Sequence, residues 1–413
     1  MKIAIFSDCY LDLTGGIVTS INADKTELER RGHTVYVFSS GYPRNESERQ
    51  KLAKKHIYPV KSCRIIGRGI APIARRPHII EKELEKTHPE IKDFDVYYIH
   101  YEAGCSIAGL RLAKKYGIKS IQVMHGREDI GEQKLIPFGL RTIVAVLLNC
   151  FHSWYIPHGT KVHRDDYLAN TFAKAKMWTL MVNHANFADL VVSPSEHFRR
   201  KLRHYGVTKP FEVLPHGLDD KLCNEKVTPR TLKPSEPLEM IWHSRLSGEK
   251  RILPFLTALN LLKNNFNQDK IALYHLSIYG DGPDAIKAKS YAKLHDLPVT
   301  FHGDTPHDKV WQKLSSAHLD ILASYNYDNY SMTLVEAVVS GTPAFIVDPN
   351  MKEILPSGGY VIAKNPSPEA IADALYGLFS HSEHINKMSR AQISARSAKK
   401  ISNKIDKFER LLV

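Results

Sequence analysis

The sequence predicts an α/β protein made of two Rossmann-like domains, each a parallel sheet with helices on both faces, facing a cleft that holds the active site. Two observations carry this expectation. Short apolar runs alternate with amphipathic segments almost from end to end, the pattern of strand–helix–strand units with buried parallel strands. At 413 residues the chain also exceeds what one hydrophobic core ordinarily organises. In order, the first series of strands is KIAIFS (2–7), TVYVFS (34–39), DVYYIHY (95–101), KSIQVMH (119–125), DLVVS (189–193) and EVLP (212–215). Helical patterns lie between them, including 17–31 closed by Gly32 and 105–116 closed by Gly117. A polar, proline-bearing stretch at 228–237 precedes the second series: LEMIWHS, LYHLSIYG, VTFHG, LDILAS and PAFIVD. The domains read as 1–219 and 220–397. A basic amphipathic helix over 398–413 either caps the second domain or crosses back onto the first. Ligands of such sheets collect at the carboxyl ends of the strands, which places the active site in the cleft.

Apolar residues at 43% and charged residues at 24% are the balance of a globular protein. The 57 basic side chains exceed the 44 acidic ones by 13. Such an excess attracts phosphate-bearing substrates, nucleic acid or an acidic membrane surface, and simple solubility is the competing account. No nucleic-acid recognition module is visible, so nucleic acid is not an expected partner. Cys9, Cys63, Cys105, Cys150 and Cys223 are scattered without a CxxC pair, which argues against a disulfide framework or a zinc site and for a cytoplasmic setting. The strand pattern starts at Lys2, leaving no room for a signal peptide. The longest apolar stretch, 143–151, is too short to span a bilayer.

Four segments carry candidate chemistry. RLSGEK (245–250) follows a strand and places Arg245 and Lys250 at the mouth of the sheet, where fixed cations stabilise a departing diphosphate; an ordinary basic turn would look the same. In YGDGP (279–283), Gly280 lets the backbone approach a ligand closely, and a plain strand–turn–helix connection also favours these residues. In DNYSMTLVEAVVSG (328–341), Ser331, Met332 and Thr333 start a helix whose free N–H groups can cradle a phosphate. Glu336 lies about a turn inside that helix, within reach of a sugar hydroxyl, and Asp328 precedes it in the loop. Gly16, with Gly15, lies in the loop after the first strand, where a phosphate or simply a turn fits.

Taken together and in this order, the Gly-Gly loop, HSRLSGEK, YGDGP, FHGD and DNYSMTLVEAVVSGTP resemble the large retaining family of GT-B nucleotide-sugar glycosyltransferases over nearly the whole chain. The resemblance implies that Arg245 and Lys250 bind the donor diphosphate, Glu336 the ribose and Asp328 the donor sugar. It also implies that the Gly16 backbone approaches the phosphate or sugar, and that His125, in QVMHG, faces the reaction centre. In the family's E-x7-E element the first position is usually Glu; here it is Asp328, one methylene shorter, which bears on sugar choice. The implied donor is a UDP-sugar, UDP-glucose foremost, with no metal required.

IHYEAGCSIAGLRLAKKYGI, QVMH, VHRDDYLAN and DLVVSPSEHFRRKLRHYGV resemble the first domain of diacylglycerol glucosyltransferases, which implies a membrane-lipid acceptor and a peripheral place on the inner face of the plasma membrane. The segment 61–76 mixes Arg64, Arg68, Arg75 and Arg76 with isoleucines and has no acid, which suits an anionic bilayer. Arg199, Arg200, Lys201 and Arg203 form a second basic cluster. The apolar run 143–156 lines an acceptor channel, dips into the membrane or, as burial statistics favour, forms a core helix. A cell-envelope polysaccharide, a teichoic acid or a protein hydroxyl is the alternative acceptor. A catalytically weakened scaffolding homologue is the alternative outside enzymes, with Asp328 its one supporting feature.

Overall fold

The computed structural model describes residues 1–9, 15–41, 46–63, 73–74, 76–127, 129, 138–233, 236–265, 274–379 and 383–412. They form two compact units, 1–215 with 404–413, and 216–403. The first contains β1 (Lys2–Ser7), β2 (Thr34–Gly41), β3 (Ile57–Cys63), β4 (Ile73–Ala74), β5 (Val96–His100), β6 (Lys119–Val123), β7 (Leu190–Ser193) and β8 (Phe211–Val213). The second contains β9 (Leu238–His243), β10 (Tyr274–Tyr279), β11 (Val299–Gly303), β12 (Leu319–Leu322), β13 (Ala344–Ile346) and β14 (Tyr360–Ile362). Sheet order is β4-β3-β2-β1-β5-β6-β7-β8 in one unit and β11-β10-β9-β12-β13-β14 in the other.

Central strands are buried on both faces, as their continuous apolar runs require: Ile3, Ala4, Ile5 and Phe6 of β1 are fully buried, and so are Tyr97 and Ile99 of neighbouring β5. β3 and β14 lie outside the strands the apolar pattern predicts. Pro59 interrupts β3 and cannot donate to a ladder, which obscures the strand in sequence. Its position fits: the outer neighbour β4 pairs only with Ser62 and Cys63, and does so antiparallel, so the first sheet is not wholly parallel as expected. β14 is three residues long and follows Gly358 and Gly359, too little for a period to register.

The segment after β8 is tied to the second unit well before 228–237. Leu218 forms a parallel bridge with Lys400. The Arg396 guanidinium donates to the carbonyls of Leu222 at 2.7 Å and Val339 at 2.6 Å, and Arg230 donates to the Ser340 carbonyl at 2.8 Å. The last helix, Ile401–Leu412, joins the first unit from Lys404 onward. Lys404 Nζ lies 2.6 and 2.7 Å from the two Asp24 oxygens, both side chains being buried, and Phe408 packs 4.6 Å from the Tyr98 ring.

Candidate active site

Each sheet has a topological switch point, where strand order reverses and adjacent loops leave in opposite directions to open a crevice. In the second unit it lies between β9 and β12, so the loops after His243 and after Leu322 share that crevice. In the first it lies between β1 and β5, at the loops after Ser7 and His100.

At the second switch point the structure joins two predicted residues. Lys250 Nζ donates to Asp328 Oδ1 at 2.7 Å and Oδ2 at 2.9 Å, and Ser324 Oγ donates to the same carboxylate at 2.5 Å. Lys250 also stands 5.5 Å from the Tyr327 ring centroid. Arg245 is open to solvent, 61% exposed, with the Glu249 carboxylate 4.0 Å away. Ser331 precedes the helix Met332–Ser340 and spends its hydroxyl on Thr333 Oγ1 at 2.7 Å, so it does not cap the helix and the first-turn N–H groups are left for a ligand. Gly341 ends that helix in the left-handed region at φ 75°.

Glu336 is nearly buried and held from two sides. His307 Nε2 is 3.0 Å from its Oε1, and His243 Nδ1 is 3.4 Å from its Oε2. On the far side of the His243 ring, Nε2 lies 3.0 Å from buried Asp320. Burial lowers the His243 pKa, but Asp320 and then Glu336 outweigh it, leaving the imidazole above its ordinary value. His307 is raised by its hydrogen bond to Glu336. Sequence reasoning did not single out His243, His307 or Asp320. The available signal was the lone carboxylate in the apolar strand LDIL.

Gly280 holds the loops together. Its φ is 125°, and a Cβ there would meet the Ser244 carbonyl oxygen at 2.4 Å; a Cβ on Gly282 would meet that of Leu246 at 2.4 Å. Leu246 N donates to the Asp281 carbonyl at 3.0 Å, so YGDGP and RLSGEK are laced backbone to backbone.

In the first unit, Gly16 begins the solvent-exposed start of the helix Gly16–Arg30 at the carboxyl edge of β1. His125 follows β6 on the same edge, and its Nε2 is 2.8 Å from His100 Nδ1. Burial, with Lys404 adding to it, pushes the His125 pKa down to about 3, so the imidazole is neutral near pH 7. Between them Asp8, buried, accepts from Ala103 N at 3.0 Å, Cys105 N at 2.7 Å and Ser106 Oγ at 2.6 Å. It thereby closes the N-terminus of the helix Gly104–Tyr116. Tyr101 takes φ 89° beside it. Sequence reasoning missed Asp8 and Tyr101, although Asp8 directly follows the first strand.

Arg76 is exposed ahead of the helix Pro77–Thr87, whereas Arg64, Arg68 and Arg75 lie outside the described residues. In the second basic cluster Lys201 is buried, Arg199 pairs with Glu196 at 2.8 Å and Arg203 donates to the Val207 carbonyl at 2.8 Å. Much of that cluster's charge is thus used internally. The run 143–156 is not a core helix: the helix Arg141–Ser153 buries only Ala145, Asn149 and His152.

Residues 14–222 match Glycosyltransferase Family 4, and residues 224–395 match Glycosyl transferases group 1. The chain belongs to the family 4 glycosyltransferases. It is similar to the alpha-monoglucosyldiacylglycerol synthase of Streptococcus pneumoniae, 23% identical over 96% of this chain and 83% of that protein. It is also similar to the synthase of the same name from Acholeplasma laidlawii, 31% identical over 30% of each chain. Among solved structures, Anabaena HepE in complex with UDP has TM-score 0.67 at 15% identity, covering 100% of this chain and 99% of that one. HepE with UDP-glucose has TM-score 0.66 at 14% identity over the same shares. The GT-B fold implied by the glycosyltransferase motifs is the fold found.

Proposed function

We propose that this glycosyltransferase moves a hexose, glucose foremost, from a UDP-sugar to a membrane lipid of the diacylglycerol kind, with retention at the anomeric carbon. The observation that carries the donor half is the Lys250–Asp328 pair at the switch point, next to an uncapped helix N-terminus and the fixed Glu336. The acceptor half is supported by the two synthases named above, and the choice of UDP-glucose by the HepE complexes.

In this reading Arg245, Lys250 and the N–H groups of Ser331, Met332 and Thr333 hold the diphosphate, Glu336 holds the ribose and Asp328 the sugar hydroxyls. The acceptor hydroxyl attacks the anomeric carbon from the face the diphosphate leaves. The carbon–oxygen bond to phosphate breaks, the bond to the acceptor forms, and the hydroxyl proton passes to a leaving-group phosphate oxygen. Fixed cations and helix N–H groups stabilise the charge that develops there. A neutral His125 puts no positive charge beside the oxocarbenium-like centre. With diphosphate charge met by side chains and backbone, turnover persists in excess EDTA; complete loss restored by Mg²⁺ would count against this scheme. The protein would act from the inner face of the plasma membrane.

The test is incubation of purified protein with labelled UDP- and GDP-sugars against diacylglycerol in mixed micelles, a polysaccharide, a teichoic acid and a protein. An α-linked glucosyl lipid formed from UDP-glucose is expected. Transfer confined to a non-lipid acceptor would overturn the acceptor half, and no transfer or donor hydrolysis would overturn the whole reading.

A further inference from the structure

Of the eleven large apolar side chains left exposed among the described residues, six lie between Leu140 and Phe172. Four belong to one stripe. Leu140 (50% exposed), Ile143 (55%), Leu147 (62%) and Trp154 (75%) recur at helical spacing along Arg141–Ser153 and its ends. The inner face carries Ala145, Asn149 and His152 instead. Asn149 Nδ2 donates to the Lys176 carbonyl at 2.8 Å, and His152 Nε2 is 3.1 Å from His184 Nδ1 on the neighbouring helix Phe172–Phe187. Two of the three buried side chains are thus polar, while large apolar ones face solvent.

The charge on this helix and its neighbour Phe172–Phe187 has one sign. Neither of the two helices contains an aspartate or glutamate, while Arg141, Lys174 and Lys176 sit on them. Lys174 and Lys176 meet neutral groups: Lys174 Nζ donates to Asn170 Oδ1 at 2.8 Å, and Lys176 Nζ stands 5.2 Å from the centroid of the exposed Phe172 ring. The stripe is about 20 Å long and one side chain wide. That is on the order of 200 Å², well short of the ~800 Å² per partner that a stable protein interface buries. A narrow apolar ridge with flanking cations and a terminal tryptophan instead matches a bilayer surface, where side chains enter the interface and cations meet headgroup phosphates.

We propose that the outward face of the helix Arg141–Ser153, with Leu140 and Trp154 at its ends, docks the protein on an anionic lipid bilayer. The assignment rests on the lipid-acceptor reading for its purpose, and its test does not depend on that reading. The helix lies along the interface with Ile143 and Leu147 below the headgroups, and Lys174 and Lys176 at phosphate level.

The experiment is co-sedimentation of the full chain with vesicles of phosphatidylcholine alone or of phosphatidylcholine and phosphatidylglycerol in equal parts, read together with tryptophan emission. Binding to the anionic vesicles, weakened by salt, is expected, with a blue shift that Trp154→Phe abolishes without abolishing sedimentation. Trp178 and Trp242 are already buried and contribute little to the shift. The double variant Ile143→Gln/Leu147→Gln alters exposed positions only and should lose about tenfold or more in partitioning, while hydrolysing the donor nucleotide sugar at the wild-type rate. Undiminished partitioning of that variant, equal binding to both vesicle types, or no binding by the wild type would overturn the proposal. So would a self-associated wild type that the variant renders monomeric, since a second copy would then be the occupant. Anionic-vesicle binding through this helix without transfer to diacylglycerol would remove the acceptor reading and leave the docking surface standing.

Discussion

Lys250 and Asp328 illustrate how one contact sets opposite expectations for its two members. The ammonium is neutralised by the carboxylate at 2.7 Å. If Lys250 holds the diphosphate as proposed, removing the cation takes away a fixed charge worth roughly 2–4 kcal/mol at the transition state, so Lys250→Ala should lower turnover by about two to three orders of magnitude. Arg245→Ala should do the same with the fold intact by circular dichroism. Removing the carboxylate acts differently. Asp328→Asn frees Lys250 for an incoming anion, so free UDP should bind as tightly as before or tighter while turnover falls steeply. Isothermal titration beside steady-state assays reads both. Weaker UDP binding in Asp328→Asn would move Asp328 from the sugar to the diphosphate, and full activity would remove it from the site. Asp328→Glu restores the longer side chain of the family pattern and should be the milder change, with a shift in sugar preference as its readout. His243 acts one step further back. Its Nε2 is 3.0 Å from buried Asp320, so His243→Phe should destabilise the second unit by about 3–5 kcal/mol through an unpaired buried carboxylate. His307, 66% exposed, should alter KM for the donor with little change in stability.

Among elements, the last helix has the clearest anchor. Asp24 and Lys404 are buried together, and burial raises the Asp24 carboxyl above its ordinary range despite the lysine beside it. Asp24→Ala should therefore cost about 3–5 kcal/mol by stranding the ammonium, and Asp24→Leu/Lys404→Met should recover most of it, as replacement of a whole buried pair often does. Urea unfolding checks both; no recovery in the double variant would show that the pair contributes more than its own desolvation. No sequence pattern could supply this contact, because its partners stand 380 residues apart. The same limit hid the Asp8 clamp on the helix Gly104–Tyr116. β1 and β11 were legible residue for residue, since nothing polar interrupts the first and Gly303 closes the second. β3 was not, because Pro59 breaks its reading. The loops RLSGEK and YGDGP were legible because their glycines are local requirements: Gly280 and Gly282 are there for the backbone contacts with Ser244 and Leu246, and Gly280→Ala should disorder both loops together. The apolar run 143–156 shows what periodicity leaves open. It marks a helix with an apolar face without saying whether that face meets the core or the solvent.

At the scale of the molecule, the two units differ in their proton linkages. In the first, burial pushes His125 and His184 down to about 3, and burial followed by the charges of His184 and His158 holds His152 well below its usual value. Folded-state values below the unfolded imidazole near 6.5 mean that the unfolded chain binds more protons between about pH 6.5 and 3. Stability is therefore present above that window and is lost as pH falls through it, by about 1.4 kcal/mol per pH unit for each neutral buried ring. Asp8 and Asp24, raised mainly by burial, act in the reverse direction, but two carboxyls oppose four imidazoles, His158 also being lowered by burial. In the second unit the signs are mixed, for His302 and His318 are lowered chiefly by burial and behave like the rings of the first unit. His243 and His307 are raised by their carboxylate partners, so their contribution is full below the unfolded value and lost as pH rises through the folded one. Asp320, raised by burial, adds to the same direction. Acid should thus loosen the first unit first. Hydrogen exchange resolved by segment tests this directly. Strands β1, β5 and β6 should lose protection before β9 and β12 as pH is lowered from 7 to 5. Parallel loss in both units as pH falls would show that the histidine network of the first unit does not set the pH response.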